Sequence, residues 1–496
     1  MPTKLRYFCM DKDDIVWRKL DEATDEWEKY IRKAEIYRAV VDFILKYKDG
    51  QGEQMHRVTK GGYNVIYRLE YKDGSSVIMR IPIKGVVPFP DEKVRYEVAT
   101  MRYIAANTTI PIPHIYHYGT AAENPTGLGP FIIMDYIEHH QNMSRELLDP
   151  TLPIDKHPIL DPNITEEKLE FLYAQMANIL LQLSTLKFPN IGSLVDEGGE
   201  KSISVKGRPL IANMNDVIIH TNAPSSILPD PYHTFATADE WYSTLADVHM
   251  AQLSFQHNDA VEDEDDARDK YVARQLFRNL AKEKRIISGL SKSDDEFRLF
   301  SEDFRPVNVL LNEDLKVVGV IDWEFAYAAP AQFSFDPPWW LLLEEPDSWP
   351  GGYHAWMEAY EPRLRTFLRV LEAEEKKMAV ANLTENLDNL SLTDDRNMQI
   401  PLSQRMRESW EKRTWMISYA ARKSWAFDFA WWKFLDESYF GPNEDQDHKA
   451  RLELLSEPQR KVMDAFVERK IKESKDGENV NFGDEDSLDF LADLLV

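Results

Sequence analysis

The most constraining feature of this chain is the stretch from Leu299 to Asp336. Asp303 is followed five residues later by Asn308, which opens the apolar run Val309-Leu310-Leu311. Asn312-Glu313-Asp314 reads as a polar turn. Val317-Val318-Gly319-Val320-Ile321 is a second apolar run and ends in Asp322. Two short β-rich runs joined by a polar turn predict a β-hairpin. Three ligand-type side chains stand at its ends: Asp303, Asn308 and Asp322. An ordinary hairpin with acidic ends is the plain alternative.

That order is the layout of a kinase-type catalytic loop. One Asp orients a hydroxyl nucleophile, while an Asn and a second Asp hold Mg2+ on the phosphates. The stretch resembles the aminoglycoside phosphotransferase/choline kinase family of the protein-kinase-like fold, in particular its fungal members. The family pattern is His-Gly-Asp, four residues, Asn, and then a strand ending Ile-Asp-Trp/Phe-Glu. Here the chain reads Ser301-Glu302-Asp303-Phe304-Arg305-Pro306-Val307-Asn308 and later Ile321-Asp322-Trp323-Glu324. The Asp, Asn and second Asp match in order and spacing, whereas Ser301-Glu302 replaces His-Gly. The resemblance implies Asp303 as the catalytic residue and Asn308 and Asp322 as metal ligands. It implies an α+β, two-lobed fold, with a β-rich N-lobe and a mostly helical C-lobe between helical N- and C-terminal extensions. It covers roughly residues 55–345.

Composition narrows the partners. The net charge of -26, from 85 acidic and 59 basic residues, argues against general binding to nucleic acid or anionic membranes. It is compatible with a cationic substrate, although surface acid also simply keeps a protein soluble. The single cysteine, Cys9, excludes an internal disulfide and points to a reducing compartment. No run approaches the ~18 consecutive apolar residues of a membrane helix, and the first residues lack a secretory pattern. The expectation is a soluble cytoplasmic protein, with its oligomeric state open.

In chain order, residues 11–48 carry apolar residues at helical spacing and are expected to form an N-terminal extension, 1–50, packed on the lobe that follows. Residues 56–82 alternate and include the hairpin turn Lys72-Asp73-Gly74. Gly61-Gly62 sits between the first two strands, where glycine can let backbone N–H groups approach phosphate; a plain turn is the alternative. Arg80 lies in the strand Val77–Pro82, and seventeen residues on Glu97 lies in a helical segment. In the kinase-like fold a strand cation pairs with a helix Glu and touches the α- and β-phosphates. Lys is usual there; Arg can bind phosphate bidentately. Phe131–Ile137 reads as a buried strand leaving into polar sequence. The resemblance makes it the hinge, where adenine bonds backbone around Asp135, Tyr136 and Ile137. The N-lobe is then 51–137 and the C-lobe 138–496. The acidic run Glu262–Asp266 reads as a solvated loop and residues 378–400 as loose. The resemblance gives Asp336 a role in supporting the catalytic loop.

These readings converge on a kinase that uses ATP and Mg2+ to phosphorylate a small-molecule hydroxyl. Trp339–Trp356 and Trp410–Trp432 are rich in aromatics and acids, with Glu344, Glu345 and Asp347 among them. Such a lining suggests a cationic or amino-bearing acceptor; otherwise Trp339, Trp340, Trp431 and Trp432 simply fill the core. The runner-up is a nucleotide-binding pseudokinase with a scaffold or regulatory role, motivated by Ser301-Glu302 and by Arg80. A protein kinase is disfavoured, because the chain lacks His-Arg-Asp, Asp-Phe-Gly and Ala-Pro-Glu segments.

Overall fold

Hydrophobic alternation dominates residues 64–82 and helical spacing dominates the flanks. The computed structural model of the chain keeps that division. It describes residues 9–153, 158–198, 202–286, 296–388, 400–476 and 484–495. Helices α1 (Asp14–Ile31) and α2 (Ala34–Ile44) come first. Strands β1 (Gly52–Met55), β2 (Thr59–Lys60), β3 (Asn64–Tyr71) and β4 (Ser76–Pro82) follow, then α3 (Pro90–Asn107), β5 (Ile115–Gly119) and β6 (Phe131–Asp135). They form one antiparallel sheet in the order β1-β3-β4-β6-β5, with β2 paired to β3.

Period-two alternation assigns the two faces of this sheet. Val65, Tyr67, Leu69 and Tyr71 of β3 and Val77, Met79 and Ile81 of β4 are buried against Ile36, Val40, Phe43 and Ile44 of α2. Each such side chain contributes roughly 1.5–3 kcal/mol of burial. Ile66, Ile78 and Arg80 point the other way, towards the C-lobe. α2 therefore packs on the sheet as expected, but α1 also reaches the C-lobe. Asp13, fully buried, caps α1 by accepting from the N–H groups of Ile15 and Val16, both at 3.1 Å. Its other oxygen accepts from the N–H groups of His257 and Asn258, at 3.2 and 3.0 Å.

The C-lobe opens with β7 (Gln141–Asn142), α4 (Met143–Leu147) and α5 (Glu166–Ser184). After these come β8 (Lys187–Phe188), β9 (Ser193–Asp196), β10 (Ile203–Gly207), α6 (Ala212–Thr221), α7 (Ala238–Phe255) and α8 (Glu264–Lys282). Its second half holds β11 (Phe297–Ser301), β12 (Val309–Leu311), β13 (Val317–Val320), β14 (Ala326–Pro330), α9 (Ala331–Phe335), α10 (Gly352–Asp388), α11 (Leu402–Lys412) and α12 (Trp415–Ala421). The expected hairpin is β12–β13, with Val309 opposite Val320. It is the inner of two nested pairs, because β11 and β14 also pair, from Phe297 opposite Pro330 to Ser301 opposite Ala326. Asp303 and Asp322 lie where the chain passes between the outer and inner pairs.

Two local expectations are corrected. The acidic run is not a loop: Asp263 caps α8 by accepting from the N–H of Asp266 at 2.8 Å, and Glu264, Asp265 and Asp266 occupy its first turn. Carboxylates there face the positive end of the helix dipole. α10 continues through residue 388, so only 400 of the segment read as loose is described outside a helix, and 389–399 lie outside the described residues. Among the described residues no helix is long and apolar enough to cross a membrane.

Candidate active site

Both lobes line a cleft of about 1250 Å³. Gly61, Gly62, Arg80, Asp135, Tyr136 and Ile137 line it from one side, Asp303 and Asp322 from the other. Glu97 and Asn308 are both buried and stand behind its wall.

Arg80 is carried by the central strand β4 and is almost wholly buried. A buried guanidinium needs carboxylate partners, and it has three. One amino group pairs with Glu97 of α3; the other reaches Asp322 at 2.6 Å and Glu324 at 2.8 Å. Burial works against the charged guanidinium, but the three carboxylates outweigh it and raise its pKa. Sequence reasoning missed the rest of this network. Glu324 is also paired with buried Lys93 and accepts from Asn64 Nδ2 at 2.8 Å, and Lys93 Nζ donates to Asn64 Oδ1 at 3.0 Å. Burial raises the Glu324 carboxyl, yet Lys93 and Arg80 pull it lower still. The available signal was the spacing of Lys93 and Glu97, four apart and so on one helix face.

Asp303 follows β11 and is half-buried. Arg305 Nε lies 2.6 Å from its Oδ1. Asn308 Nδ2 donates to its Oδ2 at 2.9 Å and to its backbone carbonyl at 2.8 Å. Burial pushes the Asp303 carboxyl up to about 6; Arg305 and Asn308 oppose this and nearby Asp322 adds to it. With its nitrogen committed to Asp303, Asn308 has its carbonyl oxygen left for a cation. Asp322 sits at φ +65°, a left-handed conformation that Asp tolerates better than most residues. One of its oxygens meets Arg80. A carboxylate and an amide oxygen are hard donors of the kind Mg2+ takes, alongside phosphate oxygens and waters. Among the described residues no three His, Cys, Asp or Glu side chains cluster as a self-sufficient metal site. An Asp and an Asn oxygen alone fit an ion that also takes phosphate oxygens and waters.

The substitution of His-Gly has a structural counterpart. Glu302 is buried and faces Arg422 at 3.5 Å; Arg422 lies over the rings of Phe300 and Phe333, 4.7 and 4.8 Å from their centres. Burial raises the Glu302 carboxyl against the pull of Arg422 and Lys423. Ser301 Oγ has no hydrogen-bond partner among the described residues. Asp336 accepts from Ser409 Oγ at 2.8 Å and so ties the end of α9 to α11; with Ser301, Glu302, Phe304 and Arg422 it lines a small cavity behind the loop.

The hinge and glycine turn are narrower in their options than expected. The N–H groups of Asp135 and Tyr136 are taken by the carbonyls of His114 and Ser76, at 2.9 and 3.0 Å. Among the described residues, Ile137 is the one of the three whose N–H is not given to a backbone carbonyl. Gly61 N–H closes its own turn on the carbonyl of Asn64 at 2.8 Å. Neither glycine has positive φ, and a Cβ at Gly62 would meet nothing within 4 Å. Neither backbone strain nor crowding calls for glycine here.

The cleft is also lined by Trp339, Leu343, Glu344, Glu345, Asp347 and Trp425. Lys423 Nζ is 2.7 Å from Glu345, and Asp347 accepts from Tyr419 Oη. Trp340, Trp431 and Trp432 are buried in the core instead. Of the four tryptophans singled out, only Trp339 reaches the cleft.

A sheet lobe and a helical lobe meeting at a hinge strand make this a protein-kinase-like, two-lobed α+β fold. Residues 55–373 match the Phosphotransferase enzyme family, and the chain belongs to it. Among curated proteins it is similar to a subtelomeric hrmA-associated cluster protein of Aspergillus fumigatus, 29% identical over 140 residues, or 28% of this chain and 24% of that protein. It is also similar to Altered inheritance of mitochondria protein 9 of Clavispora lusitaniae, 23% identical over 300 residues, or 55% of this chain and 48% of that one. The chain thus spans between a quarter and a half of the length of these relatives. Among solved structures, a putative aminoglycoside phosphotransferase from Ralstonia eutropha aligns with a TM-score of 0.37 at 12% identity, over 79% of this chain and 97% of that one. An ethanolamine kinase from Plasmodium vivax aligns with a TM-score of 0.35 at 9% identity, over 86% and 82%.

Proposed function

We propose that the protein is an ATP- and Mg2+-dependent kinase that phosphorylates a hydroxyl of a small molecule. The observation that carries this is Asp303, a half-buried carboxylate on the cleft wall held by Asn308 and Arg305. With a carboxyl near 6 it is mostly ionised at neutral pH and still basic enough to accept a proton. In this reading Asp303 orients the acceptor O–H and takes its proton as the oxygen bonds to the γ-phosphorus; the bond to the bridging oxygen breaks and ADP leaves. Arg80, steadied by Glu97, would bring positive charge to the α- and β-phosphates. Asp322 and Asn308 would hold Mg2+, which would supply neutralisation of phosphate charge. Most of the rate comes from alignment and electrostatics.

The acceptor is proposed to carry an amine. Trp339 offers a ring, and Glu344, Glu345 and Asp347 bring carboxylates to the cleft lining. The pseudokinase alternative lacks support, since the chain falls in a family of enzymes. The test is ADP release by wild type and Asp303→Asn against amino alcohols, aminoglycosides, sugar phosphates and hydroxy acids. Acceptor-dependent release by wild type, cut roughly 10²–10⁴-fold in the variant with nucleotide binding retained, is expected. Equal turnover in the two proteins would remove Asp303 from the chemistry. A preferred anionic acceptor would overturn the amine.

A further inference from the structure

Three side chains that this reading leaves unused meet beside the glycine turn. Tyr63 directly follows Gly61-Gly62, Asp216 stands on α6, and Lys12 lies just ahead of α1. Tyr63 Oη donates to Asp216 Oδ1 at 3.3 Å, and Lys12 Nζ pairs with Asp216 Oδ2 at 3.2 Å. All three line the cleft. Tyr63 belongs to the N-lobe sheet region and Asp216 to the C-lobe, so this bond crosses the cleft.

Each partner is independently anchored. The Tyr63 ring stands edge-on to Phe325, with centres 5.2 Å apart and planes at 74°. Its carbonyl accepts from Ile83 N–H at 2.8 Å. Burial and the nearby Asp216 raise the phenol pKa, so the hydroxyl remains a donor. Lys12 lies over the ring of Trp425, 5.4 Å from its centre. The backbone around it is fixed to the C-lobe by Met10 N–H to the Trp425 carbonyl and by Gln256 Nε2 to the Asp11 carbonyl, both 2.8 Å. Asp216 therefore spends one oxygen on each partner, and Lys12 balances the charge that Tyr63 alone would leave uncompensated.

We propose that Asp216 is a positioning residue that latches the glycine turn shut across the cleft, with Tyr63 as the catch and Lys12 as its support. The purpose of the latch, slowing nucleotide release, rests on the phosphotransferase reading; its existence does not. Closure of such loops sets many turnover rates.

Two readouts separate the two statements. The first is amide hydrogen exchange of residues 59–66 in the nucleotide-free protein. Tyr63→Phe, which keeps the contact with Phe325, and Asp216→Ala should each speed exchange about five- to tenfold. The double variant should match either single one, because both remove the same bond. Asp216→Asn, which keeps an acceptor for Tyr63 but loses the charge facing Lys12, should fall between. Unchanged exchange in Tyr63→Phe and Asp216→Ala, or effects that add in the double variant, would overturn the latch. The second readout is the dissociation rate of a MgATP analogue, expected to rise about fivefold in the same variants while unfolding midpoints stay close to wild type. A rate that does not move overturns the purpose. If exchange responds but wild type binds no nucleotide, the latch stands and the phosphotransferase reading fails.

Discussion

At the scale of single residues, the cleft is a set of carboxylates differentiated by their surroundings. Asp303 titrates near 6 because burial outweighs Arg305 and Asn308. In the proposed mechanism its charged form is the base, so protonation below that value would remove activity. The kcat/KM profile should therefore rise with pH through an apparent pKa of about 6 and level off above it. A profile flat down to about pH 5 would show that Asp303 is not the titrating base. Asp322 has one oxygen paired with Arg80, which is itself almost wholly buried. Asp322→Ala should weaken MgATP binding by roughly tenfold or more while changing metal-free ATP much less, since the loss is of metal-borne neutralisation. Equal changes in both titrations would leave Asp322 as only a strand-end partner of Arg80.

At the scale of elements, the segment after β6 and the β12–β13 hairpin pack directly on each other. Gly319 lies in the middle of β13, opposite Leu310, and a Cβ there would run into the Ile137 side chain, reaching within 3.2 Å of its Cγ2. Overpacking at such a contact typically costs about 1–3 kcal/mol. Gly319→Ala should displace the hinge residue and weaken nucleotide binding about fivefold, read by titration alongside thermal unfolding. An unchanged affinity with an unchanged midpoint would mean that Ile137 rotates away freely. Periodicity made β3, β4, β12 and β13 legible. It did not reveal β11 pairing with β14 around them, because long-range pairing leaves no local pattern. Nor did it reveal that the acidic run is a helix start, since a cap is recognised by the hydrogen bonds it makes.

For the whole molecule, the N-terminal helices are joined to both lobes. α2 covers the sheet, while Asp13 ahead of α1 holds two N–H groups of the C-lobe as well as two of its own helix. Asp13→Ala removes a cap and strands buried donors, so unfolding in urea should show a loss of about 2–4 kcal/mol. Asp13→Asn, which keeps one acceptor oxygen, should recover part of it. A loss below about 0.5 kcal/mol would make the junction incidental.

What the sequence by itself determined was the spacing of Asp303, Asn308 and Asp322 about a hairpin, Arg80 on a strand seventeen residues ahead of Glu97 on a helix, and a sheet lobe ahead of a helical one. Those features are encoded locally, in alternation, turn residues and short motifs. Only the tertiary structure decided that Glu97 and Asn308 stand behind the cleft wall, that Lys93 and Glu324 complete the ion network, and that Arg422 faces Glu302. The same is true of the tryptophans, where Trp340, Trp431 and Trp432 turn inward and Trp339 outward. Each of these depends on which segments distant in the chain pack together. A buried charge or ring is placed by its partners across the fold, and no spacing within one segment records who those partners are.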